Sequence, residues 1–357
     1  MSSEKSIGII YGGKSPEHNI SITSAENIYN TLKSLNYFIK SFYIDKTGEN
    51  WYIENPKISN SKNPLPESQN ISKLTDNLES KSPLEMSKII EELKKCECVF
   101  IMVHGNTGED GVLAGFLQTL GIKYIGCNLE SSALTFDKHR TKLALAARNL
   151  PIAPFFHIDV RDGFGFVEEY LNKSLKKDFF PCFIKPCRSG SSYGINKISE
   201  FGELLPAIRN ASQYDYSILV EKAIIGREIE CAVLEGEKAT APKVSLPAEI
   251  KIKDSGNAFY STEAKYENDS VPLETPAQLS QEQILLIQKV AATSFAVLEC
   301  QSMARVDMFL INGNSVIINE INTIPGFTSI SQFPKMWQTS GLPMPALLQE
   351  LIKTAHY

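Results

Sequence analysis

An Asn-Gly pair between two apolar runs places the tightest limit on how this chain can fold. In Ala304–Ser331 (ARVDMFLINGNSVIINEINTIPGFTSIS), strand-like runs Arg305–Ile311 and Ser315–Ile321 flank Asn312-Gly313. Both central residues of a two-residue hairpin turn need positive φ, which Asn and Gly tolerate, so the pair predicts such a turn. The register then sets Leu310 opposite Ser315, Asp307 opposite Ile318 and Arg305 opposite Glu320. Opposed residues share a face and faces alternate along each strand. Arg305, Asp307, Glu320 and Asn322 therefore emerge together, at the end away from the turn. A slip of one residue would scatter them.

Two carboxylates and an amide oxygen suit a hard cation such as Mg²⁺, which is usually held by one or two carboxylates plus phosphate oxygens. The competing reading is a surface salt bridge of Arg305 with Glu320, which would contribute little. A solvated pair does not account for Asn322 and the Pro325-Gly326 turn that follow at once.

A chain of 357 residues has room for two or three domains. Its formal net charge of −5, with no basic block, excludes a nucleic-acid-binding surface from the expectations. No run of about 18 apolar residues is present, so no membrane span is expected. The N-terminus MSSEKSIGIIYGG leads straight into a strand and a glycine turn instead of a signal peptide. Seven scattered cysteines, with no zinc-type pairing, read as free thiols in a reducing cytoplasm.

In chain order, strand Ser6–Tyr11, a Gly-containing loop, helix Ser21–Leu35 and strand Tyr37–Ile44 open a parallel α/β sheet. Residues 55–83 read as an irregular excursion. Helix Leu84–Lys95 and buried strand Cys98–Val103 follow, then loop His104–Gly111 and helix Val112–Leu120. Ser131–Asn149 reads as one long helix carrying Asp137-Lys138 on a solvated face. The middle piece predicts strands Phe155–Asp159, Pro181–Lys185, Ser192–Lys197 and Ser217–Lys222, with helices near Phe166–Ser174 and Phe201–Ser212. The last predicts strands Glu228–Leu234 and Ala239–Ser245, helix Gln281–Leu298, the hairpin and helix Met344–Thr354. The domains are expected at 1–127, 128–225 and 226–357.

Arg188-Ser189-Gly190-Ser191-Ser192, between two strands, can turn backbone N–H groups toward an anion. Lys185 precedes it as a phosphate-binding point charge would. The spacing is not that of a Walker A loop, and an exposed glycine hairpin is the plainer alternative. Glu221 and Glu228 flank a glycine turn, where they could meet an adenine amine and a ribose, or form a solvated pair. His104 and Glu17 each follow a strand, where ligands of open α/β sheets collect; for His104 a core position is the alternative. Lys265 and Tyr266 lie in a polar loop and read, alone, as surface residues.

Together these stretches resemble the D-alanine–D-alanine ligases of the ATP-grasp superfamily. The matching pieces are GGKSPEHNISITSA (12–25), HGNTGEDG (104–111), FDKHRTK (136–142), IKPCRSGSSYGI (184–195), VEKAIIGREIECAVL (220–234), EAKY (263–266), ARVDMF (304–309) and NEINTIPGFTSIS (319–331). They run in the family's order and cover most of the chain, apart from residues 50–95. The resemblance implies an α/β and α+β fold: an N-terminal parallel-sheet domain, then two ATP-grasp subdomains with ATP held between them.

It also implies roles. Lys138 and Lys185 would contact ATP phosphates; Glu221 with the backbone of Lys222, Ala223 and Ile224 would hold adenine, and Glu228 the ribose. Asp307, Glu320 and Asn322 would bind two Mg²⁺ ions, with Mn²⁺ able to replace them. Glu17 would hold the ammonium of the first D-alanine, close to His104. Arg305 and the Gly326 N–H would stabilise an oxyanion, and Ser331 would orient the second D-alanine. Glu17, Ser191 and Tyr266 would form a hydrogen-bonded triad closing the loop that carries Lys265. The reaction implied is ATP-dependent synthesis of D-alanyl-D-alanine through an acyl phosphate, for peptidoglycan precursors, by a cytoplasmic homodimer. Tyr193 and Gln332 depart from the family's common residues, and Gln332 adjoins the expected acceptor site. The rivals are a same-fold ligase with D-serine or D-lactate as acceptor, and a nucleotide-binding regulator without catalysis. The second has no need of an oxyanion donor at Arg305.

Overall fold

Strand β1 (Ser6–Gly12) is buried along its whole length, as the apolar run SIGIIYG demands of a strand covered on both faces. In the computed structural model, which describes residues 6–53, 82–236, 240–251 and 273–357, it occupies the middle of a five-stranded sheet. Strand β2 (Ile39–Ile44) lies parallel to it on one side, with β3 (Trp51–Ile53) antiparallel beyond. Strand β4 (Cys96–Met102) lies parallel on the other side, followed by β5 (Tyr124–Ile125). The chain thus leaves β1 in one direction and later returns on its other flank. That arrangement opens a crevice at the strands' C-terminal ends, between the loops after β1 and β4.

Helix α1 (His18–Ser34) starts three residues earlier than expected and buries Ile22, Ala25, Ile28 and Leu32 at helical spacing. Helices α2 (Met86–Leu93) and α3 (Val112–Thr119) complete this unit. The expected excursion over residues 55–83 falls almost wholly outside the described residues, as do Lys265 and Tyr266. All seven cysteines are free. No described helix is long and apolar enough to cross a membrane.

The long helix expected over Ser131–Asn149 is two helices, α4 (Leu129–Phe136) and α5 (Lys138–Ala146). Asp137 between them is extended (φ −87°, ψ 102°), and its carboxylate accepts from the His139 and Arg140 amides. Asp competes well for the first amides of a helix, so a break here is favoured over continuation. The break makes Lys138 the first residue of a helix, not a point on a solvated face.

The central antiparallel sheet comprises β6 (Phe155–Asp159), β7 (Cys182–Pro186), β8 (Asn196–Ile198) and β9 (Ser217–Lys222) in the order β6-β9-β7-β8. Helices α6 (Phe164–Ser174) and α7 (Leu204–Ala211) pack on it through Val167, Leu171, Leu204 and Ile208. The strand expected from Ser192 begins only at Asn196. Ser191 and Ser192 have φ of 47° and 59°, in the left-handed region where a β ladder cannot run.

The third sheet contains β10 (Arg227–Leu234), β11 (Lys243–Val244), β12 (Ala248–Ile250), β13 (Leu273–Glu274), β14 (Met303–Ile311) and β15 (Ser315–Asn322). The strand expected over Ala239–Ser245 is thus reduced to β11. Helix α8 (Gln281–Val297) opens on a reciprocal Ser280–Gln283 capping box and lays Ile287, Val290, Ala291 and Phe295 into this core.

The β14–β15 register differs from the expected one twice. Ile311 pairs with Ser315, so the loop is Asn312-Gly313-Asn314, three residues and not two; Asn312 and Gly313 have φ of 50° and 71°. A second shift falls between Asp307 and Met308, where Asn319 is the extra residue of a β-bulge. Past the bulge, Asp307 faces Glu320 and Arg305 faces Asn322. The longer loop alone would turn Glu320 and Asn322 to the opposite face. The bulge turns them back, so the four residues share a face as expected, for a different reason.

Two helices end the chain. Helix α10 (Met344–Lys353) agrees with expectation, but α9 (Gln332–Thr339) does not appear in the sequence reading. Its Pro334 lies in the first turn, where a missing N–H breaks no helical bond. Phe333, Met336 and Trp337 of α9 and Leu347, Leu348 and Leu351 of α10 join the core of the first sheet. The end of the chain therefore returns to its beginning.

The Asp137 break is testable by denaturant unfolding. Asp137→Ala is expected to cost about 1 kcal/mol through loss of the cap, and Asp137→Asn, which keeps an acceptor, much less. Equal stability of Asp137→Ala and wild type would contradict the capping assignment.

Candidate active site

The paired strands place three carboxylates in one row: Glu230 of β10 faces Asp307 of β14, which faces Glu320 of β15. Ala232, Arg305 and Asn322 form the next row on that face. Like charges directly opposed repel, so the row needs a cation. Arg305 supplies one. Its Nε and Nη2 donate to Asp307 Oδ1 and Oδ2, each at 2.7 Å, and Nε lies 3.3 Å from Glu230 Oε1. Burial disfavours the guanidinium charge, but Asp307 and then Glu230 more than offset this and hold its pKa above the ordinary arginine value. Asn322 Oδ1 accepts from the Ile324 amide at 3.1 Å, which fixes the orientation of its side chain.

No described group of three His, Cys, Asp or Glu side chains is arranged to hold a metal unaided. The oxygen donors of Asp307, Glu320 and Asn322 nevertheless fit Mg²⁺. This ion commonly takes one or two carboxylates and leaves its other positions to water and phosphate oxygens.

A second cluster lies where β7 and β9 pair. The Glu221 carboxylate sits between Lys185 Nζ (2.6 Å) and Lys142 Nζ, and all three side chains are nearly buried. Burial opposes the Glu221 charge, but Lys185 and Lys142 hold its pKa below the ordinary value. Burial likewise opposes the Lys185 ammonium, and Glu221 reverses the effect, leaving its pKa raised. Glu221 thus anchors two lysines. The amides of Lys222 and Ala223 donate to the carbonyls of Pro154 (2.9 Å) and Pro181 (3.0 Å), which fixes the backbone leading to Ile224. Glu228, half-buried, shares a β10 face with Glu230 and adds to the charge felt by Lys185.

The loop at residues 187–195 joins these clusters to the first domain. Lys138 Nζ donates to the Ser189 carbonyl at 2.6 Å, and the Lys138 amide to that of Cys187 at 3.0 Å. Burial lowers the Lys138 pKa, with Glu320 as the main opposing influence. Arg188 anchors the loop through a bidentate pair with Asp215. A first side-chain carbon on Gly190 would stand 3.5 Å from Glu17 Oε2, so Glu17 approaches the loop that holds Ser191.

Glu17 and His104 meet at the crevice of the first sheet. His104 Nδ1 donates to the Ile324 carbonyl (2.9 Å), and its Nε2 stands 3.4 Å from Ser24 Oγ. Burial lowers the His104 pKa, with Glu17 opposing, so the ring is held toward its neutral form. Ser24 Oγ also accepts from the Phe327 amide (3.1 Å), and Asn27 Nδ2 donates to the Phe327 carbonyl (2.7 Å). Three side chains of the first domain therefore clamp the turn containing Pro325-Gly326. Ser331 Oγ accepts from the Thr328 amide (3.0 Å) and stands at the N-terminus of α9, an end that favours carboxylates. Gln332, the next residue, is buried and accepts from Thr275 Oγ1 at 3.1 Å.

Sequence reasoning singled out neither Glu230, Lys142 nor Glu109. All three lie inside the matching motifs, and Glu230 is two residues from Glu228, on its face. Glu109 Oε1 lies 3.9 Å from His104 Nδ1. Burial and then Glu17 push its pKa up to about 8.

The folded protein therefore holds this proton more tightly than the unfolded chain does. Stability linked to Glu109 is present below the ordinary glutamate pKa of 4.5 and is lost as pH rises toward about 8. Without added metal, Glu109→Gln is expected to gain stability over wild type across that window, on the order of 1 kcal/mol per pH unit, by denaturant titration. A constant difference between the two proteins would contradict the assignment.

Two family descriptions match the chain: D-ala D-ala ligase N-terminus over residues 6–127, and D-ala D-ala ligase C-terminus over residues 144–353. The D-alanine–D-alanine ligase of Oceanobacillus iheyensis is 38% identical over 359 residues, covering 99% of this chain and 95% of its own. The solved D-alanine–D-alanine ligase of Coxiella burnetii superposes with a TM-score of 0.78 at 35% identity, over 99% of this chain and 94% of that one. The VanG D-Ala:D-Ser ligase of Enterococcus faecalis does so with 0.82 at 32% identity, over 99% of both. Matched at both ends and along nearly its whole length, the chain belongs to the D-alanine–D-alanine ligase family of ATP-grasp enzymes.

Proposed function

We propose that the protein joins two D-alanine molecules into D-alanyl-D-alanine at the cost of ATP, through an acyl phosphate. One observation carries this reading. Arg305, the Asp307–Glu320–Asn322 face, the lysine cluster and the Glu17–His104 crevice converge on one site from all three sheets. In this reading Lys138 and Lys185 neutralise the phosphates. The Ile224 amide, placed by the fixed backbone before it, meets the adenine beside Glu221, and Glu228 takes the ribose. Phosphoryl transfer needs positioning and charge neutralisation more than covalent help, and these groups supply both. Two Mg²⁺ ions held by Asp307, Glu320 and Asn322 would neutralise the transferring phosphoryl group.

Glu17 takes the ammonium of the first D-alanine, with neutral His104 beside it, which brings its carboxylate toward Arg305. The second D-alanine places its carboxylate at Ser331 and the α9 N-terminus, and its amine attacks the acyl carbon. Negative charge then grows on the carbonyl oxygen. The Arg305 nitrogen not bound to Asp307, Nη1, and the Gly326 N–H are the donors for it. Ser191, with Tyr266 and Lys265, belongs to the closing triad and loop of the same proposal, and closure would shield the acyl phosphate from water. A cytoplasmic homodimer completes the reading.

D-alanine-dependent release of ADP, with dipeptide identified by mass, is the primary test; absence of both would refute the proposal. With D-alanine, D-serine and D-lactate competing in one assay, D-alanyl-D-alanine is the expected main product. Dominant mixed product would reassign the acceptor. Arg305→Ala is expected to lower kcat by about 10²–10³ while ATP binding persists, as loss of a preorganised oxyanion donor does. Unchanged turnover would remove Arg305 from this role. Glu320→Gln is expected to abolish most turnover while circular dichroism and melting show an intact fold. Unfolding of that variant would instead mark Glu320 as a structural ion-pair partner.

A further inference from the structure

Glu230 is buried in the carboxylate row, directly opposite Asp307 and on the side away from Glu320. It is only 3% exposed and lies 3.3 Å from Arg305 Nε. Arg305 has its better-aligned bonds with Asp307, at 2.7 Å twice. That arrangement conflicts with the work proposed for Asp307. A carboxylate bonded to a guanidinium through both oxygens can offer a cation only its remaining lone pairs, and it must share its charge between the two. A divalent cation at Asp307 also repels the neighbouring guanidinium, so loading the site weakens the Arg305–Asp307 pair, and a buried guanidinium that loses its partner is strongly destabilised.

We propose that Glu230 is a positioning residue that takes over Arg305 when Asp307 turns toward a metal ion. The inference rests on the reading of Asp307 as a metal ligand. Glu230 has two effects in it. It lowers the cost of releasing Asp307, because the guanidinium keeps a buried carboxylate partner throughout. It also keeps Arg305 on the oxyanion side of the sheet after Asp307 has left, since β10 fixes Glu230 one strand away from the hairpin. The handover moves no covalent bond and no proton. Hydrogen bonds from Arg305 Nε and Nη2 pass from Asp307 to Glu230.

The test is the Mg²⁺ dependence of ADP binding to the full-length protein, measured by calorimetry with ADP as the probe and no turnover. Glu230→Gln keeps the shape and removes the charge, so Arg305 stays on Asp307. The half-saturating Mg²⁺ concentration is expected to rise roughly tenfold, the scale of one charge-assisted hydrogen bond. ADP affinity at saturating Mg²⁺ should stay near wild type, and kcat there should fall while KM for D-alanine changes little. In an Arg305→Ala background, Asp307 is already released and Glu230→Gln should no longer raise the Mg²⁺ requirement.

A Mg²⁺ dependence unchanged in Glu230→Gln would overturn the proposal. So would a rise that persists in the Arg305→Ala background, which would make Glu230 itself a metal ligand. If wild-type ADP binding is indifferent to Mg²⁺, the metal reading of Asp307 fails and takes this inference with it. Should Glu230→Gln melt below the working temperature, Glu230→Asp serves. It keeps the charge but withdraws it by one methylene, and a smaller rise that vanishes in the Arg305→Ala background is expected.

Discussion

The cation at Arg305 is the interaction on which the site depends. Three carboxylates stand in register across β10, β14 and β15, two of them almost fully buried. Without a positive charge among them the members of such a row would repel one another in a protein interior, where like charges are poorly screened. Arg305 lies one row away on the same face, so its planar fork can reach two carboxylates at once. A lysine there would present a point charge without the fork. Because the pair is buried, its value is less in net stability than in the arrangement it enforces. The charges can be satisfied only if β10, β14 and β15 hold their observed registers.

The hairpin does not position itself alone. Its continuation through Pro325-Gly326 is bound by His104, Ser24 and Asn27, which come from a strand end and a helix more than 200 residues earlier. The same α1 that fills the first core thus carries Ser24 and Asn27 on its other contacts. Helices α9 and α10 return to that core as well. The third sheet and the first domain therefore share a boundary made of both packing and hydrogen bonds. The turn at Pro325-Gly326 is thereby held at backbone atoms on both sides.

Much of this was legible in the sequence, for reasons that can be named. Strand parity with a two-residue turn placed Arg305, Asp307, Glu320 and Asn322 on one face, and the structure reaches the same face by another register. The register itself was not legible. A three-residue loop and a bulge at Asn319 each shift parity by one, and their effects cancel. Bulges leave no mark in hydrophobic pattern. Lys138 read as solvated because Asp137-Lys138 fits a helical stretch; only the extended backbone of Asp137 shows it to be a cap. Helix α9 was missed because Pro334 obscures a short amphipathic run. Glu109, Lys142 and Glu230 owe their importance to partners distant in sequence, His104 apart, and no local pattern reports such contacts. Family resemblance suggested roles that spacing could not, but it did not reveal that Glu221 binds two lysines inside the protein.

That last point bears on how the site would accept its substrates. Its cations are not bare. Arg305 is held by Asp307 and Glu230, Lys185 and Lys142 by Glu221, and Lys138 by the Ser189 carbonyl. Burial disfavours an ammonium charge. At Lys185 the Glu221 carboxylate more than offsets this, whereas at Lys138 burial prevails and the pKa is lowered. If Lys138 and Lys185 meet the phosphates as proposed, binding is an exchange of partners, in which phosphate oxygens compete with a backbone carbonyl at Lys138 and share Lys185 with Glu221. The carbonyl is the weaker competitor, since it carries no net charge. In the proposed reading Lys138 is therefore the cation most readily transferred to a phosphate, while the 187–195 loop keeps its anchor at Arg188–Asp215.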